Sequence, residues 1–345
     1  MAKRRTVEGL VMNGCWKGRR VLVTGATGLL GSWLVKALLE RQTEVVALVL
    51  DAEPRSELYR SGAIQQVRVV NGRLEDYAAL ERAVAHHEVD TVFHFGAQAI
   101  VPVALRSPWA TFEANVRGTY NLLEACRVHH DIVQRIVVAS SDKAYGASGE
   151  PYREDMALQA RHPYEASKAC TEFLARSYAT TYGLTLAITR CGNLYGGGDL
   201  NWSRIVPGTI RSLLAGERPV IRSNGRLVRD YLYVEDAVEA CLRLAEQLER
   251  PEVRGEAFNI SAETPRTVLE VVELLRRLLG CETIEPTVLN LAEGELESQV
   301  LSPAKANEVL GWKATWDLES GLQRTIEWYR ALFLGDSADL KHEHA

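Results

Sequence analysis

Nowhere along its 345 residues does the chain reach the run of about 18 apolar residues that a membrane-spanning helix requires, so a soluble protein without a membrane partner is expected. A basic excess is missing too. Lysine and arginine total 40 against 45 acidic residues, a net charge of −5, which disfavours nucleic acid because phosphate-backbone binding needs a concentrated positive surface. A small anionic ligand remains compatible with this balance. The six cysteines (Cys15, Cys126, Cys170, Cys191, Cys241 and Cys281) form no close pair of redox or metal-ligand spacing, which fits a reducing cytoplasm. The pairs His86-His87 and His129-His130, like His342 and His344, lack Cys or acidic partners at ligand spacing, so no metal is expected. Internal repeats and low-complexity segments are absent. The basic start, Lys3-Arg4-Arg5, is followed only by Leu10-Val11-Met12, too short an apolar segment for a signal peptide, and residues 1–17 are expected as a flexible arm.

What is present is ample material for a core, with 46% hydrophobic and 25% charged residues. Short β-branched runs alternate with longer helical patterns from Arg19 to about residue 190: Arg20 to Val23, Glu44 to Leu50, Val67 to Val70, Thr91 to His94, Ile136 to Ala139 and Leu186 to Ile188. This rhythm predicts an α/β fold, a parallel sheet with helices on both faces. After residue 190 the rhythm loosens into a loop-rich region from Gly196-Gly197-Gly198-Asp199. Another strand follows at Arg229 to Val234, with helices at about 234–249, 265–280 and 317–334. The expected division is 18–190 for the first domain, with a return segment at about 228–262, and 191–345 mainly for substrate contacts.

The first strand enters Thr24-Gly25-Ala26-Thr27-Gly28-Leu29-Leu30-Gly31 and then a helix, Ser32 to Glu40. Gly25 and Gly28 let the backbone turn sharply and approach a pyrophosphate, whose charge meets free N–H groups at the helix N-terminus; Gly31 permits close packing of helix on sheet. Asp51, at the end of the second strand, stands where a carboxylate binds a ribose 2′-OH, which favours NAD over NADP. Arg55 is either a partner for a 2′-phosphate or a solvated loop charge.

A second pair of segments carries chemistry. Ser140-Ser141-Asp142-Lys143-Ala144-Tyr145-Gly146 follows an apolar run and precedes Tyr164-Glu165-Ala166-Ser167-Lys168. Tyr164 and Lys168 fall on one helix face, so the ammonium is expected beside the phenol, favouring its deprotonated form. A phenolate beside the Ser141 hydroxyl is a base for removing an alcohol proton, and near a nicotinamide that alcohol can be oxidised to a ketone. Asp142 and Lys143 would add a second acid and base, which alcohol oxidation alone does not need; an exposed loop ion pair is the alternative. Neighbours on a regular strand point to opposite faces, so both reach one ligand only if the strand has ended by residue 141. Trp202 beside Arg204 either stacks on a nucleotide base or packs in the core. Tyr145 either closes over a sugar or caps the sheet.

With Gly25-x-x-Gly28-x-x-Gly31, Tyr164-x-x-x-Lys168, Phe95-Gly96-Ala97-Gln98, Asn115-Val116-Arg117-Gly118-Thr119, Arg190-Cys191-Gly192-Asn193-Leu194-Tyr195-Gly196 and Arg229-Asp230-Tyr231, the chain resembles the extended short-chain dehydrogenase/reductase superfamily that modifies nucleotide sugars. The resemblance runs from about residue 18 to 334. It implies a Rossmann-like doubly wound parallel sheet with a smaller C-terminal α/β substrate domain. It further implies NAD held by Gly25, Thr27, Gly28, Leu29, Leu30, Gly31, Asp51, Leu74, Phe95, Ala97, Tyr164 and Lys168. The nucleotide sugar would be held by Gln98, Asn193, Arg204 and Arg229, and the helices at Thr111 to Val128 and Tyr164 to Thr181 would pair in a homodimer.

Within the superfamily, Ser141-Asp142-Lys143, Gly192 to Asp199 and Arg204-Ile205-Val206-Pro207 most resemble the CDP-glucose 4,6-dehydratase group. In that group's terms Tyr164 takes the C4 hydroxyl proton, the ketone acidifies the C5 proton, and water leaves from C6, with Asp142 as the acid and Lys143 as the base. Both roles require pKa values moved toward neutrality. After Gln98 the chain has Ala99-Ile100 instead of that group's usual Pro and basic residue, and Arg73 takes the place of the superfamily's common adenine-binding Asp. Two other readings stand beside the dehydratase: a nucleotide-sugar 4-epimerase on a UDP-hexose or UDP-glucuronate, needing only Ser141, Tyr164, Lys168 and NAD, and a non-catalytic dinucleotide-binding regulator.

Overall fold

The structure, a computed structural model, describes residues 15–291 and 296–342. Thirteen strands are present among these residues: β1 Arg20–Thr24, β2 Glu44–Val49, β3 Arg68–Asn71, β4 Thr91–His94, β5 Arg135–Ala139, β6 Leu186–Cys191, β7 Asn193–Tyr195, β8 Val220–Ile221, β9 Val228–Tyr233, β10 Ala257–Ile260, β11 Pro265–Thr267, β12 Thr287–Val288 and β13 Ser298–Gln299. The α-helices are α1 Leu29–Glu40, α2 Glu57–Arg60, α3 Tyr77–His86, α4 Val101–Arg106, α5 Pro108–Phe112, α6 Gly118–Val128, α7 Pro163–Tyr182, α8 Ile205–Leu214, α9 Val234–Gln247, α10 Val268–Leu279 and α11 Leu318–His342.

Seven strands form one parallel sheet in the order β10-β6-β5-β4-β1-β2-β3. Alternation along the strands divides its residues between two cores. Val21 and Val23 face α1 and α9, with Leu34, Leu38, Ala237 and Cys241, whereas Leu22 and Val46 face α3 and α6, with Leu80, Val84, Leu122 and Cys126. Apart from the largely exposed edge strand β3, burial on both faces explains why these strands read as nearly continuous apolar runs. The strand order reverses between β1 and β4, and in doubly wound sheets the crevice beyond such a switch point receives ligands.

β9 anchors a second, smaller sheet, pairing with β7, β11 and β13, while β12 pairs with β8. A third core of Tyr195, Ile210, Tyr231, Leu275, Leu322 and Tyr329 lies beneath it. Trp202 belongs to this packing, with ring centroids 5.8 Å from Tyr329 and 6.0 Å from Phe333. After β9, α9 returns the chain to the large sheet, where β10 pairs with β6.

Two expectations are corrected. Residues 1–14 of the expected arm lie outside the described residues, but Trp16 is 1% exposed, packs on Phe93 at 6.0 Å between ring centroids, and donates its indole N–H to Glu246 at 2.6 Å. An aromatic with a satisfied polar edge is worth burying, so the chain is tied down before β1 begins. The helix expected from Thr111 to Val128 is broken by a π-helical turn at Glu113–Arg117. Asn115 in that turn is buried and joins the loop after β4 to α7.

Candidate active site

At the C-terminal ends of β1 and β4 the backbone comes unusually close to itself. Gly25 has φ +70°, and a Cβ there would lie 2.7 Å from the Gly96 nitrogen. A Cβ on Gly31 would collide with the Gly25 carbonyl. Helix α1 starts at Leu29 with Gly28 as its N-cap and no side chain capping it, which leaves the amides of its first turn for an anion. Thr27, Gly28, Leu29 and Leu30 sit around this opening, none of them buried.

The loop bearing Phe95, Ala97 and Gln98 is fixed from below. Thr24 Oγ1 accepts from the amides of Phe95 at 3.1 Å and Gly96 at 3.0 Å, so its own proton goes to His94 Nδ1 at 2.9 Å. His94 Nε2 then carries the proton toward Thr119 Oγ1 at 3.0 Å, and Thr119 donates to the Asn115 carbonyl. Burial pushes the His94 pKa down to about 3, which keeps the ring neutral in this chain of bonds. Leu74 fills the space over the glycines: a Cβ on Gly118 would stand 2.5 Å from its Cβ. Asn121 Nδ2 fixes the carbonyls of Leu74 at 3.2 Å and Glu75 at 3.0 Å. Asp51 is exposed just beyond β2, and Arg55 is engaged with Glu53.

β5 ends at Ala139, and Asp142–Tyr145 forms a 3₁₀ turn. This removes the alternation that would have sent Asp142 and Lys143 to opposite faces. Ser141 caps the turn, accepting from the Lys143 amide at 3.2 Å and donating to Asp142 Oδ1 at 2.9 Å. Lys143 Nζ stands 3.7 Å from the same oxygen. Asp142 is 2% exposed, so the pair is not an open loop ion pair, and its Oδ2 is buried with no hydrogen-bond partner in the protein.

Tyr164 and Lys168 project inward from the first turns of α7, both buried. Burial pushes the Tyr164 pKa up, offset in part by a hydrogen bond with Ser141 and by the Arg204 charge, while nearby Asp142 adds to the rise. Lys168 donates to the Ala139 carbonyl at 2.8 Å, and burial lowers its pKa to about 8. At these two buried side chains desolvation outweighs the local charges.

Among the residues expected to meet the substrate, Asn193 Nδ2 is buried with no partner, an amide donor that no protein group meets. Arg204 pairs with Asp199 at 3.1 Å, and Arg229 donates to the carbonyls of Val228 and Leu296, each at 2.9 Å. Gln98 is placed differently from a free ligand-binding amide. Its side chain closes a ring with the Ile100 backbone, and its own backbone is clamped by Asn115, which also donates to Ser167 at 2.9 Å.

Sequence inspection missed Asp230. It is buried on β9, its Oδ2 accepts from Ser261, its Oδ1 has no partner, and burial first and the Asp142 charge second raise its pKa to about 6. It lay inside a recognised segment, yet no local signal marks a carboxylate as buried beside another one 88 positions away.

A model of the NAD dependent epimerase/dehydratase family matches residues 21–261, and the chain belongs to that family. Similar curated proteins are the CDP-glucose 4,6-dehydratase of Salmonella typhimurium, 30% identical over 93% of each chain, and the dTDP-glucose 4,6-dehydratase of Mycolicibacterium smegmatis, 32% identical over 90% of this chain and 93% of that one. Among solved structures, DesIV, a dTDP-glucose 4,6-dehydratase from Streptomyces venezuelae with NAD and TYD bound, superposes with TM-score 0.82 at 30% identity, covering 90% of this chain and 97% of its own. A UDP-glucose 4-epimerase of Thermotoga maritima with UDP-glucose has the same TM-score at 28% identity, covering 91% and 99%. The fold therefore does not separate the two chemistries; the side chains at the ends of β5 and β9 must.

Proposed function

We propose that the chain is an NAD-dependent nucleotide-sugar 4,6-dehydratase, with CDP-glucose the first substrate to test. The carrying observation is the 3₁₀ turn that sets buried Asp142 and partly exposed Lys143 beside Ser141 and Tyr164. A 4-epimerase would have no use for that second acid and base. The likeness to the CDP-glucose and dTDP-glucose enzymes supports the same choice.

NAD would lie along the uncapped start of α1, with the Asp51 carboxylate on its ribose and Leu74, Phe95 and Ala97 beside it. When bound it supplies a reversible hydride acceptor, so the sugar ends one water lighter with no net redox change. Tyr164, assisted by Ser141, removes the C4 hydroxyl proton. Lys143 then takes the proton from C5, made acidic by the C4 ketone, and later returns it. Asp142 protonates the departing C6 hydroxyl from its unpartnered Oδ2. Asn193, Arg204 and Arg229 are assigned to the diphosphate, for which the orphaned Asn193 amide is the supporting observation. Gln98 borders the sugar only if its ring with Ile100 opens.

A homodimer paired through α6 and α7 is part of this proposal, supported by the exposed Tyr120 and Phe173 side chains. The six free cysteines support a reducing cytoplasm as its location.

The test is mass spectrometry of CDP-glucose, dTDP-glucose, UDP-glucose, GDP-mannose and UDP-glucuronate after incubation with enzyme and NAD. Loss of one water from a single donor is expected. A new isomer of unchanged mass would instead make the protein a 4-epimerase and Asp142-Lys143 scaffolding.

A further inference from the structure

Behind the catalytic turn lies a buried charged network that the chemistry above does not use. Glu172 on α7 is fully buried and holds Arg190 of β6, itself 2% exposed, through both Nε and Nη2. Arg190 Nη1 donates to the hydroxyl of Tyr145, the last residue of the turn, and that hydroxyl donates in turn to Asn259 Oδ1 at 2.8 Å. The ring is held on its faces as well. The Arg190 guanidinium lies 4.6 Å from its centroid, and Tyr152 stacks against it at 4.7 Å and 3°. Tyr152 closes the arrangement by donating to the Gly146 carbonyl at 2.6 Å, just past the same end of the turn.

A buried ion pair is weak evidence for stability, since desolvating two charges offsets much of their attraction. Its geometry is what distinguishes this one. Glu172 fixes the plane of the guanidinium, and the guanidinium fixes both the hydroxyl and the face of Tyr145. Asp142 and Lys143 lie only three and two residues before that ring. Ser140 is anchored separately, its amide donating to the Thr189 carbonyl at 2.8 Å, and Lys168 through Ala139.

We propose that Glu172, Arg190 and Tyr145 are positioning residues that set where Asp142 and Lys143 stand, and so govern elimination of water more than oxidation at C4. This rests on the 4,6-dehydratase assignment. A cavity of about 720 Å³ reaches Glu172, Arg176, Arg190 and Lys305, and it is lined by none of the catalytic candidates. A small cation added to solution therefore has a way to the Arg190 site that avoids the substrate.

The experiment compares wild type, Tyr145→Phe and Arg190→Ala in the holoenzyme. C4 oxidation is followed as the single-turnover burst of reduced nicotinamide absorbance, and dehydration by product mass. Both variants should dehydrate about a hundredfold more slowly, the scale of a misplacement of about 1 Å. The oxidation burst should stay within a few-fold of wild type, and millimolar guanidinium should restore Arg190→Ala but not Tyr145→Phe. Wild-type dehydration by Tyr145→Phe, or oxidation and dehydration falling together with the melting temperature, would overturn the positioning role while leaving the dehydratase assignment intact. A wild-type product of unchanged mass would remove both.

Discussion

The two ends of the site are built by different means. The end proposed for the cofactor, at β1, α1 and β4, is shaped mostly by backbone: Gly25 at positive φ, Gly31 against a carbonyl, and a helix start left without a side-chain cap. The end proposed for the reaction, beyond β5 and β6, is built of side chains whose meaning depends on burial and on partners from elsewhere: Asp142, Tyr164, Lys168 and Asp230. The first end tolerates almost no added atom, and the second tolerates almost no lost one. On the proposed assignment, shape would govern where the dinucleotide lies, and protonation what happens to the sugar.

Substitution at the backbone end should break the comparison most severely. Gly25→Val places side-chain atoms against the Phe95–Gly96 backbone at a left-handed residue, and it should abolish both bound NAD and turnover. Protein that keeps its cofactor by absorbance and extraction would show that this loop is not the cradle. At the reacting end the losses should separate by step. Tyr164→Phe should lower C4 oxidation and all later chemistry by about 10²–10⁴-fold, the range for a lost general base, whereas Asp142→Asn should stall after oxidation and accumulate reduced cofactor. Normal turnover by Asp142→Asn would demote that carboxyl to scaffolding.

The smallest effect concerns stability, and its sign is set by Asp230. Folding raises its pKa from 3.8 to about 6, so between those values the native protein binds a proton that the unfolded chain has released. The contribution is whole below pH about 4 and is lost as pH rises through about 6, a change on the order of 3 kcal/mol. Asp230→Asn should flatten the fall in stability over that window in urea titrations at several pH values. An unchanged slope would mean that water reaches this carboxyl.

Much of the reacting end was legible in sequence as a set of residues and little of it as an arrangement. The strands and the glycine loop were readable because apolar alternation and a three-glycine spacing are properties of consecutive residues. Tyr164 and Lys168 were readable because one helix carries both. The 3₁₀ turn was not, since its cap depends on the chain leaving β5 at Ala139, and no periodicity records a strand ending. Neither was the direction of the Tyr164 shift, because burial is a property of everything packed around α7 rather than of the Lys four residues on. The Glu172–Arg190–Tyr145 network draws on α7, β6 and the turn, three elements that only the folded sheet brings into contact. Trp16 was misjudged for the same reason, since its partners Phe93 and Glu246 are remote in sequence.

The position of β10 has a consequence for the making of the protein. A ribosome releases β1 to β6 in order, but the strand that covers the outer side of β6 begins only at Ala257, after β7 and β9 of the smaller sheet have been made. For several seconds of translation the all-buried strand Leu186–Cys191 presents an unpaired apolar edge, the kind of surface that pairs with other chains. A nascent chain halted before residue 257 is therefore an incomplete sheet with an adhesive margin, and late synthesis is when this molecule is most exposed to misassembly.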